Sequence, residues 1–496
     1  MVSRMPVLVI DAGTTGVTAL VVGDDTRTQS RGYREFAQHF PQPGWVEHRP
    51  DEIWDATCAA ARDALADAPQ APTCVGITNQ RETVLLWDRE TLQSPRPAIV
   101  WQDRRTSGMC EQLRQDGHES LVRSITGLRL DPYFSATKLA WIRDNEPDVW
   151  QQVTAGRLAV GTVDSYLVAR MSGGRHHVTD ASNASRTLLY DIHRADWSDE
   201  LCQLFGVPRD ALPNVVPSYG DLCRTDPASF LGLDLSITGI AGDQQAALLG
   251  QGAFSPGQAK CTYGTGSFVL VNTGADAVTS HASLLTTVAY MRPDRSLAYA
   301  LEGSVFVTGA AIQWLRDGLG IIDTAAEINH LAASVPDSGG VVFVPALVGL
   351  GAPDWDPSAR GTVVGITRGT TSAHLARATL DAIAFQVRDV VDLMTHDAHV
   401  DLPELAVDGG AAASDLLCQI QADQLGVPVV RPTIIETTAL GAAFLAGLGA
   451  GVWSSPDELR EARHIDRTFT PGSRDAAAHR RWRAAVERAK GWASEG

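Results

Sequence analysis

The sequence predicts an α/β protein made of two related halves, and three observations support this. Short apolar runs that predict strands alternate with amphipathic stretches that predict helices, as in sheets covered by helices. A strand, a small glycine–threonine turn and a second strand are predicted at 9–22 and again at 260–271. The repeat suggests an internal duplication with its boundary near residue 250, which gives domains 1–250 and 251–496.

The predicted elements of the first domain follow in order from the N-terminus. "VLVI", the turn "DAGTTG" and "VTALVV" form a hairpin. A helix is expected at 51–68, because its apolar residues form one stripe, with Asp51 as the N-cap after Pro50. A short strand at 73–78 then ends in the polar cluster "NQRE".

The second domain contains two further informative segments. The stretch 404–426 predicts a strand that runs through Gly409 and Gly410 into an amphipathic helix. The uncharged stretch 437–456 is rich in Gly and Ala and ends in a turn with a proline, so we expect a tightly packed buried helix and not a membrane span. The tail predicts a charged closing helix.

The composition excludes several classes of function. The net charge is −17 without a Lys/Arg stripe, which argues against nucleic acid or an anionic membrane as a partner. The seven cysteines form no CxxC pair, and the N-terminus does not resemble a signal peptide, so a cytoplasmic location is expected. The motifs of P-loop, dinucleotide-binding, zinc-protease and serine-hydrolase enzymes are missing from the sequence.

The two glycine–threonine turns are candidate phosphate sites. Such turns present backbone N–H groups and hydroxyls at one point, and they bind anions without a helix. Asp11 at the end of the first strand adds a hard oxygen ligand for Mg²⁺. By itself "DAGTTG" is better explained as an ordinary hairpin turn, since such turns are common between strands, but a second turn, "YGTG" at 263–266, would allow a polyphosphate to be held from two sides.

A third segment has two interpretations of equal weight. Gly409 and Gly410 precede a helix, where a flat group could pack on the backbone at the helix N-terminus. The alternative is a simple connection from strand to helix, with Ser414 as the N-cap.

With these three turns in this order, the chain resembles the actin-like ATPase and sugar-kinase superfamily, in which two RNase H-like domains hold a nucleotide in the cleft between them. The segments "YFSATKLAWIRDN" (133–145) and "GTVVGITRGTTSAHLARATLD" (361–381) are similar to the two signatures of the FGGY carbohydrate kinase family. The resemblance runs from about residue 7 to about residue 455. Within the family, "NQRETVLLWDRETLQSPRPAIVWQDRRT", "GIAGDQQAALLGQ" and "YGTGSF" are most similar to the glycerol kinases.

The resemblance implies an ATP- and Mg²⁺-dependent phosphorylation of glycerol to sn-glycerol 3-phosphate. It implies that the polyol is bound by Arg81, Glu82, Trp101, Tyr133, Asp243, Gln244 and Phe268, with Trp101 and Phe268 as an apolar wall. It places ATP against Thr14, Thr15, Gly16, Thr265, Gly266, Gly309, Gln313, Gly410, Ala411 and Ser414, and the metal at Asp11 and Asp243. It is compatible with a homodimer or a homotetramer.

These residue types suit the chemistry. A site built to hydrogen-bond hydroxyls rejects analogues that lack them by roughly 10⁴-fold. Adjacent residues on an extended strand point to opposite faces, so Arg81 and Glu82 can both reach a ligand only if the strand has ended there. Asp243 has two interpretations, a helix N-cap or the general base that accepts the proton of the attacking hydroxyl, and the resemblance favours the base.

Departures from the glycerol kinase pattern keep two rivals open. That pattern usually has DQGTTSSR at the first turn, whereas this chain has Gly16, Val17 and Thr18, which are closer to the xylulose-type kinases. An asparagine is usual where this chain has Ser414. The rivals are a kinase for a tetritol, xylulose or dihydroxyacetone, and a nucleotide-binding sensor without catalysis. No activation by fructose 1,6-bisphosphate or by histidine phosphorylation is expected.

Overall fold

The computed structural model describes residues 5–280, 284–434 and 436–494. The strands are β1 (Val7–Ala12), β2 (Gly16–Val22), β3 (Thr28–Glu35), β4 (Glu47–His48), β5 (Cys74–Asn79), β6 (Leu85–Asp88), β7 (Ala98–Ile99), β8 (Leu158–Gly161), β9 (Val178–Asp180), β10 (Tyr190–Asp191), β11 (Asp196–Trp197), β12 (Asn214–Val216), β13 (Tyr219–Arg224), β14 (Ser236–Gly242), β15 (Ala259–Tyr263), β16 (Ser267–Gly274), β17 (Leu285–Met291), β18 (Leu297–Val305), β19 (Val342–Val344), β20 (Thr362–Val364), β21 (Leu405–Asp408), β22 (Val429–Pro432) and β23 (Ile465–Phe469).

The α-helices are α1 (Pro50–Ala66), α2 (Ser107–Gln115), α3 (Glu119–Thr126), α4 (Ser135–Asn145), α5 (Pro147–Thr154), α6 (Val163–Met171), α7 (Ala181–Ala184), α8 (Asp199–Phe205), α9 (Asp243–Gly250), α10 (Gly309–Gln313), α11 (Glu327–Ala333), α12 (Ser372–Ala398), α13 (Asp415–Leu425), α14 (Thr437–Ala450), α15 (Pro456–Glu461) and α16 (Ala476–Ala489). A π-helical turn covers Trp314–Gly318, and short 3-10 turns cover Arg209–Ala211, Gly410–Ala413 and Trp492–Ser494.

The two large sheets repeat one strand arrangement. In the first sheet, β3, β2 and β1 form an antiparallel meander, and β1 continues into β5 and β14 in parallel. In the second sheet, β18, β16 and β15 form the same antiparallel arrangement, with β17 added outside β18, and β15 continues in parallel into β21 and β22. The repeat predicted from the two hairpins is therefore also present in the arrangement of the strands.

Helix α1 confirms the predicted helix but corrects its cap. Arg49 is the N-cap, Pro50 is the first helical residue, and Asp51 lies inside the first turn, so the assignment of Asp51 as N-cap was wrong. Proline favours the first helical position because the N–H that it lacks would have no partner there. Asp51 instead places its charge at the positive end of the helix dipole.

Helix α14 is the buried helix predicted from the uncharged stretch near the C-terminus. Its residues are buried from Thr437 to Gly447 with one exception, and it packs on β14, β5 and β1 of the first sheet and against α9. Glycines make this approach possible, since a Cβ atom at Gly441 would collide with the backbone of Ala246. Among the described residues, no helix combines the length and apolar character that a membrane span requires. The last part of the chain therefore ties the second half to the first sheet.

Candidate active site

Three parallel strands of the first sheet end side by side, and each is followed by a predicted site segment. The register pairs Asp11 on β1 with Thr78 on β5, and Thr78 with Ala241 on β14. The first turn follows β1, Arg81 follows β5, and Asp243 follows β14. Ligands of α/β sheets bind at the carboxyl ends of strands, so this edge is where a site is expected.

Arg81 and Glu82 lie beyond the end of their strand, as their proposed shared role requires. Strand β5 ends at Asn79, and Glu82 has a φ of 62°, in the left-handed region. The side chains of both residues are about 1% exposed. Because the backbone has turned, the two side chains do not have to point to opposite faces.

The two residues belong to a buried ionic network. Arg81 donates from Nη1 to Oε2 of Glu302 at 2.7 Å, and its Nε lies 3.0 Å from Oδ1 of Asp243. Arg186 donates from Nε to Oε1 of Glu82 at 2.7 Å and from Nη2 to Oε1 of Glu302 at 2.9 Å. We call these residues the charged cluster: Arg81, Glu82, Arg186, Asp243 and Glu302.

Ion pairing keeps Glu302 ionised despite its burial. Taking an isolated charge out of water is costly, so buried charges require partners with good geometry. Burial alone would raise the pKa of Glu302, but the neighbouring Arg186 and Arg81 lower this pKa to about 2. The cluster therefore presents fixed charges and hydrogen-bond groups, which suit a small ligand with several hydroxyls.

Asp243 is the member of the cluster that reaches solvent. It is the first residue of α9, and Gly242 is the N-cap, so the interpretation of Asp243 as the N-cap is wrong. Its side chain is 31% exposed, whereas that of Arg81 is 1% exposed. A Cβ atom at Gly242 would lie 2.7 Å from Cγ and Cδ of Arg81, so the glycine lets this arginine lie along the strand end. Asp243 thus presents a carboxylate that is anchored on one side and accessible on the other.

Trp101 and Phe268, the two residues of the predicted apolar wall, make separate contacts. The rings of Trp101 and Tyr133 meet edge to face, with centroids 5.5 Å apart, and the Tyr133 hydroxyl accepts a hydrogen bond from Nη2 of Arg81 at 3.2 Å. Phe268 is half-buried on β16 and packs against the apolar cluster formed by α9 and α14.

Gln244 is oriented by a lysine that the sequence analysis did not select. The Nζ atom of Lys260, a fully buried residue, donates to Oε1 of Gln244 at 2.5 Å and to the hydroxyl of Thr262 at 2.8 Å. An ammonium group cannot accept hydrogen bonds, so it must face the amide oxygen. The amide nitrogen of Gln244 is thereby left for another acceptor.

Asp11 has the electrostatics of a cation ligand. Burial, then the charges of Asp243 and Glu436, raise the pKa of Asp11 to about 7. Nearby carboxylates that repel one another are stabilised by a divalent cation, and Mg²⁺ is commonly held by one or two carboxylates together with substrate phosphates and water. Within the described residues there is no group of three or more His, Cys, Asp or Glu side chains suited to a metal ion. The oxygen donors of Asp11 and Asp243 therefore suit a hard divalent cation such as Mg²⁺.

The first turn (11–16) is held in place by side chains from outside it. Gln80 donates from Nε2 to the carbonyl of Gly13 at 3.1 Å, and Gln38 donates from Nε2 to the carbonyl of Thr14 at 2.6 Å. The indole Nε1 of Trp101 donates to the hydroxyl of Thr14 at 2.9 Å. The hydroxyl-bearing Thr15 is exposed.

Gly16, one of the departures in the first turn, has a local packing reason. A Cβ atom there would lie 2.7 Å from the carbonyl oxygen of Arg34 and 2.9 Å from the ring of Tyr33. Both belong to β3, which pairs with β2 beside the turn. A serine at this position would therefore require the neighbouring strand to move.

The second turn, by contrast, is held by backbone. The N–H of Gly309 donates to the carbonyl of Gly264 at 3.0 Å, and those of Thr308 and Ala310 donate to the carbonyl of Thr265 at 2.9 and 3.1 Å. A Cβ atom at Gly266 would collide with the carbonyl oxygen of Val305.

The other predicted nucleotide residues lie on α10 or follow β21, the strand beside β15. Gln313 is exposed at the end of α10. Strand β21 pairs in parallel with β15, so Gly410 and Ala411 follow a strand that ends beside the second turn. Gly410 has open space where a Cβ atom would stand. Ser414 is the N-cap of α13, since its hydroxyl accepts from the N–H of Leu417 at 3.0 Å, and it also bonds to Asn329. We call Gly264, Gly266, Gly309, Gly409 and Gly410 the glycine turns.

Sequence reasoning missed Glu302, Arg186 and Lys260. Glu302 lies in "LAYALEGSV" and Lys260 in "AKCTY", both nearly continuous buried strands. A charged residue is almost never fully buried unless it is paired, so a lone charge inside a strand of this kind was the available signal. Arg186 lies after the short helix α7, where the pattern gave no comparable signal.

Comparison with known proteins places the chain in a family. The N-terminal domain model of the FGGY family of carbohydrate kinases matches residues 6–250, and the C-terminal domain model matches residues 259–450. A glycerol kinase of Aromatoleum aromaticum is 56% identical, covering 98% of this chain and 99% of that protein. The crystal structure of Plasmodium falciparum glycerol kinase with ADP superposes with a TM-score of 0.93 at 33% identity, covering 98% of both chains. A xylulose kinase structure from Rhodospirillum rubrum gives a TM-score of 0.86 at 26% identity, covering 97% of this chain and 98% of that chain. The chain belongs to the FGGY family of carbohydrate kinases, with their two-domain α/β fold.

Proposed function

We propose that this protein transfers the γ-phosphoryl group of ATP to glycerol and releases sn-glycerol 3-phosphate. The observation that carries the proposal is the charged cluster, which lies at the same sheet edge as the first turn. Arg81 donates a hydrogen bond to Tyr133 and forms an ion pair with Asp243, and the charge of Asp243 acts on Asp11. The 56% identity to a glycerol kinase over nearly the whole chain supports the same substrate.

In this proposal the charged cluster binds and orients the polyol. Arg81 and Tyr133 donate to hydroxyl oxygens, and Glu82 and Asp243 accept from hydroxyl protons. Gln244, with its amide fixed by Lys260, supplies a further donor, and Trp101 and Phe268 cover the carbon chain. A triol whose hydroxyls are all paired is discriminated from analogues that lack one.

Asp243 is the proposed general base. Its partly exposed carboxylate accepts the proton of the attacking hydroxyl while Arg81, 3.0 Å away, holds its orientation. Phosphoryl transfer depends mainly on in-line positioning and on neutralising charge on the phosphoryl oxygens, so the base does not have to be strong.

The nucleotide is placed across the two turns. The hydroxyls and N–H groups of Thr14, Thr15 and Gly16 on one side, and of Thr265 and Gly266 on the other, donate to the phosphates, while Gly309, Gln313, Gly410, Ala411 and Ser414 surround the nucleoside. Asp11 and Asp243 would hold Mg²⁺, which when bound neutralises phosphate charge. Closure of the two domains, split near residue 250, would exclude water that competes as acceptor.

A kinase for another polyol or ketose is the second candidate, and the first turn favours it. Gly16, Val17 and Thr18 leave no arginine at this turn, and Gly16 is fixed by its packing against β3. Release of ADP should be measured with glycerol, a tetritol, xylulose and dihydroxyacetone as acceptors. Glycerol should give the highest kcat/KM, and a higher value for any other acceptor would transfer the assignment to it. ATP binding without turnover on any acceptor would support a sensor instead.

The role of Asp243 has its own test. Asp243→Asn keeps the size of the side chain but removes the base, so turnover should fall by about 10³-fold, within the range for general acid–base catalysis. Isothermal titration of the variant with ATP should give nearly unchanged affinity. Retained turnover would remove Asp243 as the base.

Location and assembly complete the proposal. All seven cysteines are free. We expect a cytoplasmic enzyme that forms a homodimer or a homotetramer, and light scattering coupled to size-exclusion chromatography measures which.

A further inference from the structure

Two of the side chains that support the first turn, Gln38 and Gln80, contact the same buried histidine. His48 lies on β4 and is fully buried, with Nε2 2.8 Å from Oε1 of Gln38 and Nδ1 3.3 Å from Nε2 of Gln80. These are the glutamines that donate to the carbonyls of Thr14 and Gly13. The histidine therefore links two side chains that come from different parts of the chain but support the same turn.

The hydrogen bonds allow one arrangement of protons. Gln38 uses its amide nitrogen on Thr14, so its oxygen faces His48, whose Nε2 must carry the proton and donate. The amide nitrogen of Gln80 donates to Gly13 and to Nδ1 of His48, and its oxygen accepts from the hydroxyl of Thr83 at 2.9 Å. Every polar atom in this chain of bonds has a partner of the right kind, and the ring is neutral.

The surroundings fix the ring in place. The ring of Phe36 meets that of His48 edge to face, with centroids 5.0 Å apart and planes at 80°. Strand β4 is itself held by β7, where His48 pairs with Ala98. His39, whose Nε2 lies 3.4 Å from Oε2 of Glu52, is the titratable neighbour of His48. His48 thus has the rigidity required of a group that positions others.

We propose that His48 is a positioning residue for phosphoryl transfer, which holds Gly13 and Thr14 in their phosphate-binding conformation through Gln80 and Gln38. This inference rests on the proposed role of the first turn in binding ATP. A residue that acts in this way affects the nucleotide and the rate, while the polyol-binding groups remain in place.

The experiment compares variants of His48 in the full-length enzyme. His48→Phe fills the space but removes both hydrogen bonds, so KM for ATP should rise by about tenfold, since two bonds are lost. KM for glycerol should stay within twofold. His48→Gln offers one donor and one acceptor in the same place, and it should recover most of the ATP affinity. If both variants have the KM for ATP of the parent enzyme, the proposal is overturned.

A matched control separates positioning from general stability. His177 is half-buried, donates from Nε2 to the carbonyl of Val160 at 3.0 Å and packs against Trp87, but it lies away from the first turn. His177→Phe should lower the melting temperature and leave KM for ATP unchanged. If His48→Phe does not fold, Gln38→Met removes one of the two supports from a half-buried position, and it should raise KM for ATP about fivefold by the loss of one bond. An unchanged KM in Gln38→Met would then overturn the proposal.

One further variant separates this inference from the proposed function. Thr15→Val removes an exposed hydroxyl of the turn and keeps its shape. If KM for ATP does not change in Thr15→Val and rises in His48→Phe, the inferred support stands but the role of Thr15 fails. If KM rises in Thr15→Val and not in His48→Phe, the turn binds ATP without help from His48, and the inference is wrong.

Discussion

The charged cluster and the glycine turns are built in different ways, although the proposed function assigns both to one active site. The charged cluster consists of two arginines and three carboxylates joined by ion pairs, with Arg81 and Glu302 2.7 Å apart at its centre. The glycine turns consist of backbone packed on backbone, with the N–H of Gly309 on the carbonyl of Gly264. The first region is therefore sensitive to a change of one charge, and the second to a methyl group added at a tightly packed glycine such as Gly266.

The largest effect should come from removing a charge in the cluster. Glu302→Gln keeps the shape of the side chain but leaves Arg81 and Arg186 without full compensation, and breaking a buried ion pair costs about 3–5 kcal/mol. The free energy of unfolding, measured in urea, should fall by this amount. Asp234→Asn is the control, because its pair with Arg224 is exposed on both sides and should contribute nothing measurable. Equal stability of the Glu302→Gln variant and the parent protein would show that the ion pairs of Glu302 with Arg81 and Arg186 do not stabilise the fold.

The next effect tests the backbone region with a single methyl group. Gly266→Ala places a Cβ atom against the carbonyl of Val305, so the second turn must shift, and a displacement near 1 Å costs about a hundredfold in rate. We expect that loss in kcat/KM for ATP. Gly264→Ala is the matched control, since its Cβ atom would lie 3.5 Å from Gly266, an ordinary contact, and it should be nearly neutral. Similar losses in both variants would indicate that the position of the turn does not depend on close backbone packing.

The same contrast explains how much the sequence could predict. The turns at 263–266 and 409–410 were predicted, because glycines that follow an apolar run are visible in the sequence and have a local cause. Glu302 and Arg186, which complete the cluster around Arg81 and Glu82, were not predicted, since they lie more than a hundred residues from that pair and meet it only in the folded chain. The support of the first turn was missed for the same reason: Gln38, His48 and Gln80 each look ordinary alone.

A pH experiment separates the first turn from the charged cluster. Burial and the nearby charge of His39 lower the pKa of His48 from its ordinary 6.5 to about 4, so below pH 6.5 the unfolded chain binds a proton that the folded protein excludes. Stability is therefore lost as the pH falls from about 6.5 to about 4, and at pH 5.5 the loss is about 1.4 kcal/mol. Glu302 remains ionised over this range and adds no such slope. The drop in unfolding free energy between pH 7.5 and pH 5.5 should be smaller by about 1.4 kcal/mol in His48→Phe than in the parent protein, and an equal drop would mean that His48 is protonated in the fold.

The smallest effect concerns Ser414, where capping and nucleotide binding can be told apart. Its hydroxyl already accepts from the N–H of Leu417 and bonds to Asn329, so Ser414→Ala should lower the unfolding free energy by about 1 kcal/mol through loss of the cap. Ser414→Asn keeps a good N-cap and should retain the stability. If Ser414 also binds the nucleoside, KM for ATP will rise in Ser414→Ala and fall or stay level in Ser414→Asn, whose longer amide reaches further. If KM is the same in all three proteins, Ser414 serves only the helix, and the nucleoside is held by the open backbone at Gly410 and Ala411, as expected of a region that binds through backbone more than through side chains.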